Sequence, residues 1–137
     1  GTRMEDIFVA RLMSSGVISV NPDTLVEDAA DTLLDKQIGS LVVVNEDNHI
    51  AGILTSTDFV RIVRDSKPKA KTTVERYMTD QVVTVGAQDS IRDAADKMIT
   101  YNIHHLPVVD DEEGVIGMLS TTDLTAYLSD VEQPSPA

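Results

Sequence analysis

The chain has 137 residues and no cysteine, which suits one domain or two small repeats sharing a core and excludes disulfides, thiolate metal sites and cysteine nucleophiles. Its formal charge of −12 sets 23 acidic against 11 basic side chains, and because a polyanion needs a basic face, nucleic acid is not expected as a partner. No apolar run approaches the roughly 20 residues of a membrane span and no signal-peptide pattern opens the chain, so a soluble cytoplasmic protein with no membrane partner is expected.

Asp outnumbers Glu by 16 to 7 and Lys is held to five. Such a surface stays hydrated in concentrated salt, where charges are screened within about 3 Å at 1 M, and it resembles that of a salt-loving archaeon's protein.

Met4 to Met13 reads as a short amphipathic segment with Ile7, Phe8, Leu12 and Met13 on one face, and Val17 to Val20 alternates as a short strand. Thr24 is the expected N-cap of a helix bearing apolar Leu25, Ala29, Leu33 and Leu34, with Thr24-x-x-Glu27 as a capping box and Gly39 as its end. Leu41 to Val44 is a continuous apolar run, hence a strand buried on both faces. Glu46-Asp47-Asn48 turns the chain into a strand over Ile50 to Leu54, followed by a helix over Thr57 to Arg64. Ser66 to Thr73 is a linker, and its Lys67, Lys69 and Lys71 are the one basic cluster.

The order then returns. Val74 to Met78 opens the second half, followed by strand Val82 to Val85, helix Ser90 to Tyr101 and strand Leu106 to Val109. An acidic turn over Asp110 to Gly114, strand Val115 to Leu119, helix Thr122 to Leu128 and a tail from Val131 to Ala137 complete it. Residues 9–65 and 74–130 align without a gap, with 18 of 57 positions identical, so the chain is an internal duplication. Its organisation is a first repeat over residues 4–65, a linker over 66–73, a second repeat over 74–130 and a tail over 131–137. The order of elements gives an α/β (α+β) fold as the expectation, and a unit of roughly 60 residues has little core of its own, so the halves should pack together. Two β-α-β-β-α repeats would pack sheet to sheet about a pseudo-twofold axis, leaving two related clefts.

The stretch with the most chemistry is Gly52-Ile53-Leu54-Thr55-Ser56-Thr57-Asp58, which recurs as Gly117-Met118-Leu119-Ser120-Thr121-Thr122-Asp123. It reads as a strand entering a helix, with a hydroxyl at the N-cap and a carboxylate at N3. The free N–H groups of such a turn favour an anion, and the carboxylate can accept hydrogen bonds from the hydroxyls of a sugar beside it. Plain capping boxes are the alternative. Against that, Asp has a shorter reach back to the N-cap N–H than the usual Glu or Gln.

These motifs resemble a tandem pair of cystathionine β-synthase (CBS) domains, a Bateman module. The carrying residues are Met13…Val17-Ile18-Ser19-Val20, Asp28-Ala29-Ala30, Leu41-Val42-Val43-Val44 and Gly52-Ile53-Leu54-Thr55-x-x-Asp58. In the second half they are Met78…Val82-Val83-Thr84-Val85, Ile103-His104-His105-Leu106-Pro107-Val108-Val109 and Gly117-Met118-Leu119-Ser120-x-x-Asp123.

The resemblance implies a stand-alone regulatory module that binds AMP, ADP, ATP or S-adenosylmethionine in clefts between repeats, with no required cofactor and no catalytic residues. It implies that Asp58 and Asp123 hold ribose hydroxyls, Thr55 and Ser120 approach a phosphate, and Ser19 and Thr84 contact base or ribose. Ile38-Gly39 and Ile103-His104 would cover the adenine, Ile53 and Met118 would form the other side of its slot, and His104 could reach a phosphate. A homodimer and an effector protein reached in trans are further implications. A ligand-free dimerisation module and an enzyme using Asp58 and Asp123 are the alternatives. No metal site is expected, since adjacent His104 and His105 in a strand point to opposite faces.

Overall fold

The computed structural model describes residues 6–65 and 71–132. In chain order it contains α1 (Val9–Leu12), β1 (Ser19–Val20), α2 (Val26–Lys36), β2 (Ser40–Val44), β3 (Ile50–Thr55) and α3 (Ser56–Asp65). Then come α4 (Val74–Tyr77), α5 (Ile91–Tyr101), β4 (His105–Asp110), β5 (Gly114–Ser120) and α6 (Thr121–Glu132). Met4 at the expected start, Lys67 and Lys69 of the linker, and the tail beyond Glu132 lie outside the described residues. The class is mixed α+β with two small sheets. Among the described residues no helix is long and apolar enough to cross a membrane.

Two compact units form, and they do not follow the repeats. One consists of Ile18–Val82 with Glu113–Val115; the other takes the described parts of Gly1–Val17, Val83–Glu112 and Ile116–Ala137.

In the unit built on Ile18–Val82, β2 lies between β1, parallel to it, and β3, antiparallel. Alternation along the strands divides its side chains between two faces. Leu41, Val43 and Leu54 pack with Ala29 and Leu33 of α2 and with Val74 of α4 into one buried cluster. The opposite face carries Ser19, Val42 and Ile53 in one register row and Ser40 and Thr55 in the next. A bridge between Ile53 and Thr79 adds the segment after α4 to the edge of β3.

The other unit repeats this plan with its own pieces. Val9, Val85, Ala94, Met98, Leu106, Val108 and Leu119 form its core. Ser14 bridges Met118 as Thr79 bridges Ile53. The expected strand over Val82 to Val85 is reduced to one parallel bridge, Val85 to Val108. Val85 N–H donates to the Pro107 carbonyl and the Val85 carbonyl accepts from Val109 N–H, but the next rung would need an N–H on residue 107. Proline has none, so the ladder stops there.

Both ends of α2 differ from expectation. α2 has Leu25 as N-cap with no side-chain cap, because the Thr24 hydroxyl oxygen accepts instead from Asn21 N–H and closes the preceding turn. Its C-cap is Gln37 at φ 55, matched by Asn102 at φ 53 after α5, so the left-handed residue comes two positions before Gly39. Leu34, expected on the buried face, is 76% exposed.

Gly52 and Gly117 recur because each lies under a methionine of the segment that bridges its strand. A Cβ on Gly52 would meet the Met78 sulfur at 2.7 Å and the Thr79 carbonyl oxygen at 2.8 Å; one on Gly117 would meet the Met13 sulfur at 2.6 Å. Gly52→Ala is therefore expected to cost roughly 1–3 kcal/mol by overpacking. Gly39→Ala, with nothing within 4 Å of the new carbon, should stay within about 0.5 kcal/mol of the parent. Chemical denaturation at constant m-value separates the two, and equal midpoints would refute the packing account.

Candidate functional site

β3 runs into α3, and β5 into α6, with no intervening loop. At the second of these turns the Ser120 N–H and hydroxyl donate to Asp123 Oδ2 at 2.8 and 3.0 Å, and Asp123 N–H donates to the Ser120 hydroxyl oxygen at 3.2 Å. At the first, Thr55 N–H and hydroxyl donate to Asp58 Oδ2 at 2.9 and 3.4 Å. The shorter reach expected of Asp is thus corrected. With the strand passing straight into the helix, an Asp at N3 does meet the N-cap N–H, and both turns carry a capping interaction. Each uses a single carboxylate oxygen.

The other oxygen distinguishes the two turns. Asp58 is 2% exposed, and its Oδ1 accepts from Arg61 Nη1 at 3.3 Å. Asp123 is half-buried, and its Oδ1 meets no hydrogen-bond donor among the described residues. It lines a cavity of about 430 Å³ with Arg11, Leu12, Ala126, Tyr127 and Asp130. The helix end beside it has little to offer an anion. Thr121 N–H already donates to the His104 carbonyl at 2.9 Å and Asp123 N–H to Ser120, so two of its orphan donors are satisfied internally.

The remaining sequence-predicted residues fall into two sets, one in each unit. Ser19, Ile53 and Thr55 share the sheet face away from α2, and exposed Gly39 precedes Ser40, the register partner of Thr55. Ile38, partly buried, packs against the core beneath. In the other unit Ile103 is likewise a core contact. Thr84 gives its carbonyl to Lys97 Nζ at 2.7 Å, Met118 is paired to Ser14 through both backbone groups, and exposed His104 gives its carbonyl to α6.

Two residues near these carboxylates, Arg11 and Arg61, carry no role in the sequence reading, and a third, His105, enters it only as part of the repeat motif and as a rejected metal ligand. The spacing Asp58-x-x-Arg61 on one helix face is a local signal that could have found the second. Arg11 is brought to Asp123 only by the tertiary fold. His105 is half-buried at the start of β4; burial pushes its imidazole below the usual histidine range, neighbouring His104 adds to this, and the Asp123 carboxylate opposes it.

Similar proteins place these turns in a wider setting. The CBS domain model matches residues 9–65 and 74–130. A homoserine O-acetyltransferase of Methanosalsum zhilinae is 34% identical over 93% of this chain, and an L-aspartate semialdehyde sulfurtransferase of Methanocaldococcus jannaschii is 31% identical over 85%. The chain spans only 25% and 22% of those relatives' lengths. A CBS domain pair solved in complex with 5′-methylthioadenosine and S-adenosyl-L-methionine superposes with a TM-score of 0.81 at 29% identity, covering 91% of this chain and 98% of that one.

The lowered His105 value sets a pH dependence. Below about pH 6.5 the unfolded chain takes up its proton before the folded one does, so the contribution of His105 to stability is complete above that pH. It is lost as pH falls from there toward the folded-state value. The slope in this window is bounded by about 1.4 kcal/mol per pH unit, and His105→Gln should remove it. Melting curves between pH 7.5 and 5 test this; an unchanged slope in the variant would refute it.

Proposed function

The chain belongs to the CBS-domain family, and from that premise we propose a regulatory module that holds an adenosine-bearing ligand in the Asp123 cavity and relays its presence to a partner. The observation that carries this reading is the division of labour within one carboxylate. Asp123 Oδ2 is fixed by Ser120 while the group as a whole lines the 430 Å³ cavity. A carboxylate so held is ready to accept the two O–H groups of a ribose diol, a charge-assisted pairing. The structural neighbour that held 5′-methylthioadenosine and S-adenosyl-L-methionine supports the same ligand class.

Charge narrows the class. Asp123 and Asp130 stand against Arg11 alone in the cavity lining, and the N-terminal donors of α6 are largely satisfied. A phosphate would be repelled by this net negative charge, whereas a neutral thioether or a cationic sulfonium would not. We therefore place 5′-methylthioadenosine and S-adenosylmethionine ahead of AMP, ADP and ATP, which reverses the preference that His104 suggested in the sequence. Ser19, Ile38, Gly39, Ile53, Thr55 and Asp58 are the sequence-predicted set of the other unit; Thr84, Ile103, His104 and Met118 belong to the unit of Asp123 but do not line its cavity.

CBS domain pairs are generally regulatory. The enzyme names of the relatives belong to chains about four times longer than the matched part, and the activity is assigned to their remainder. The relay partner is a catalytic chain or domain in the cytoplasm of a salt-adapted cell. Two copies of the module pair through helix faces carrying Val60, Val63 and Ile99, which are 67%, 69% and 78% exposed. Ile62, of the same helix as Val60 and Val63, is 4% exposed and belongs to the interior. Light scattering in molar salt should give a dimer mass; a monomer at micromolar concentration refutes the pairing.

Titration calorimetry tests the ligand. 5′-Methylthioadenosine and S-adenosylmethionine should bind more tightly than AMP. Asp123→Ala should weaken them roughly 10- to 100-fold, the equivalent of 1.5–3 kcal/mol for a hydrogen bond to a charged group. Tighter AMP binding would overturn the charge argument, and an Asp123→Ala variant that binds like the parent would overturn the site.

A further inference from the structure

Every residue that lines the Asp123 cavity has a counterpart 65 positions away in the gapless repeat alignment, and each set falls within one compact unit. Three counterparts keep their residue: Arg11 and Arg76, Asp123 and Asp58, Asp130 and Asp65. Three do not. Where the cavity has Leu12, Ala126 and Tyr127, the Ile18–Val82 unit has Tyr77, Arg61 and Ile62.

These exchanges span the retained carboxylates. Arg61 Nη1 reaches Asp58 Oδ1 at 3.3 Å, and the Tyr77 hydroxyl donates to Asp65 Oδ2 at 2.6 Å. Leu12 has no hydroxyl to offer Asp130, and Ala126 has no guanidinium to offer Asp123. We infer that Arg61 and Tyr77 close the Asp58 position to ligand while Ala126 and Leu12 leave the Asp123 position open, so that each chain takes up one adenosine ligand. The inference rests on the reading of Asp123 as the holder of the ribose.

The energetics run in the same direction. A ligand hydroxyl entering at Asp58 must displace a cation from a carboxylate that is 2% exposed. It replaces a charged donor by a neutral one, at a site where an unpaired charge is costly. At Asp123 the ribose hydroxyls displace only water from an oxygen that no described side chain occupies. Arg61 and Tyr77 thus determine which repeat is loaded without touching the ligand.

Reciprocal exchange tests this, with 5′-methylthioadenosine as the calorimetric probe and melting curves as the folding control. The parent should show one site per chain, removed by Asp123→Ala and kept in Asp58→Ala. Ala126→Arg, alone and with Leu12→Tyr, should lower affinity at least tenfold. Arg61→Ala with Tyr77→Leu should add a second site that Asp58→Ala removes. Arg61 and Ala126 are both exposed, so their single exchanges are compatible with folding, and Arg61→Gln provides a milder opening variant. Two sites in the parent, or exchanges that move neither affinity nor stoichiometry while Asp123→Ala still abolishes binding, would overturn the inference alone. No binding by the parent or any variant would overturn the ribose reading and the inference with it.

Discussion

A strand that becomes a helix without a loop leaves the first N–H of the turn with no ladder partner and no helical one. At both places where this happens the chain answers with an aspartate three residues on, one oxygen of which takes that N–H. The geometry of β3, α3, β5 and α6 depends on those two contacts, and so does the chemistry. A carboxylate pinned through one oxygen has already lost its rotational freedom. What it later accepts at the other oxygen does not have to offset the cost of ordering it.

Burial then decides what the second oxygen does. Asp58 is almost wholly shut from water, and a charge so placed needs a permanent partner, which Arg61 supplies. Asp123 is only half-buried and can leave its second oxygen to water or to a ligand. The same motif is therefore a structural ion pair in one unit and a candidate binding group in the other. Exposed Arg61 adds little stability on its own account, since its arm is half in solvent. Its effect is to occupy.

Much of this was legible in the chain. The apolar run Leu41–Val44, the strand after the Asn48 turn and the doubled Asp motif stand where their patterns placed them, because local periodicity and burial agree there. Thr24 and Gly39 misled for a shared reason: each is the right residue type for a helix end, but the turn at Asn21 and the left-handed Gln37 satisfied the backbone first. The strand before α5 failed on a single missing proton, that of Pro107. The roles of Arg61, Ala126, Tyr77 and Leu12 had no signature in the repeat, because the copies differ at these positions and it is the differences that carry the distinction. No local pattern reports that the residues before Val17 fold with the second repeat.

That last feature bears on how the chain acquires its structure. Phe8 pairs with Ser90 and Ser14 with Met118, separations of 82 and 104 residues, while Ile18–Val82 supplies nearly all of its own unit. Closing such long loops is entropically costly, and non-local pairings are slow to form. During synthesis the middle of the chain can settle while the residues around α1 still lack the strand they are to join. The residues around α1, made before the rest of their unit, wait longest for their neighbours, and the Asp123 cavity, which needs Arg11 and Leu12 for its wall, is finished only when they dock.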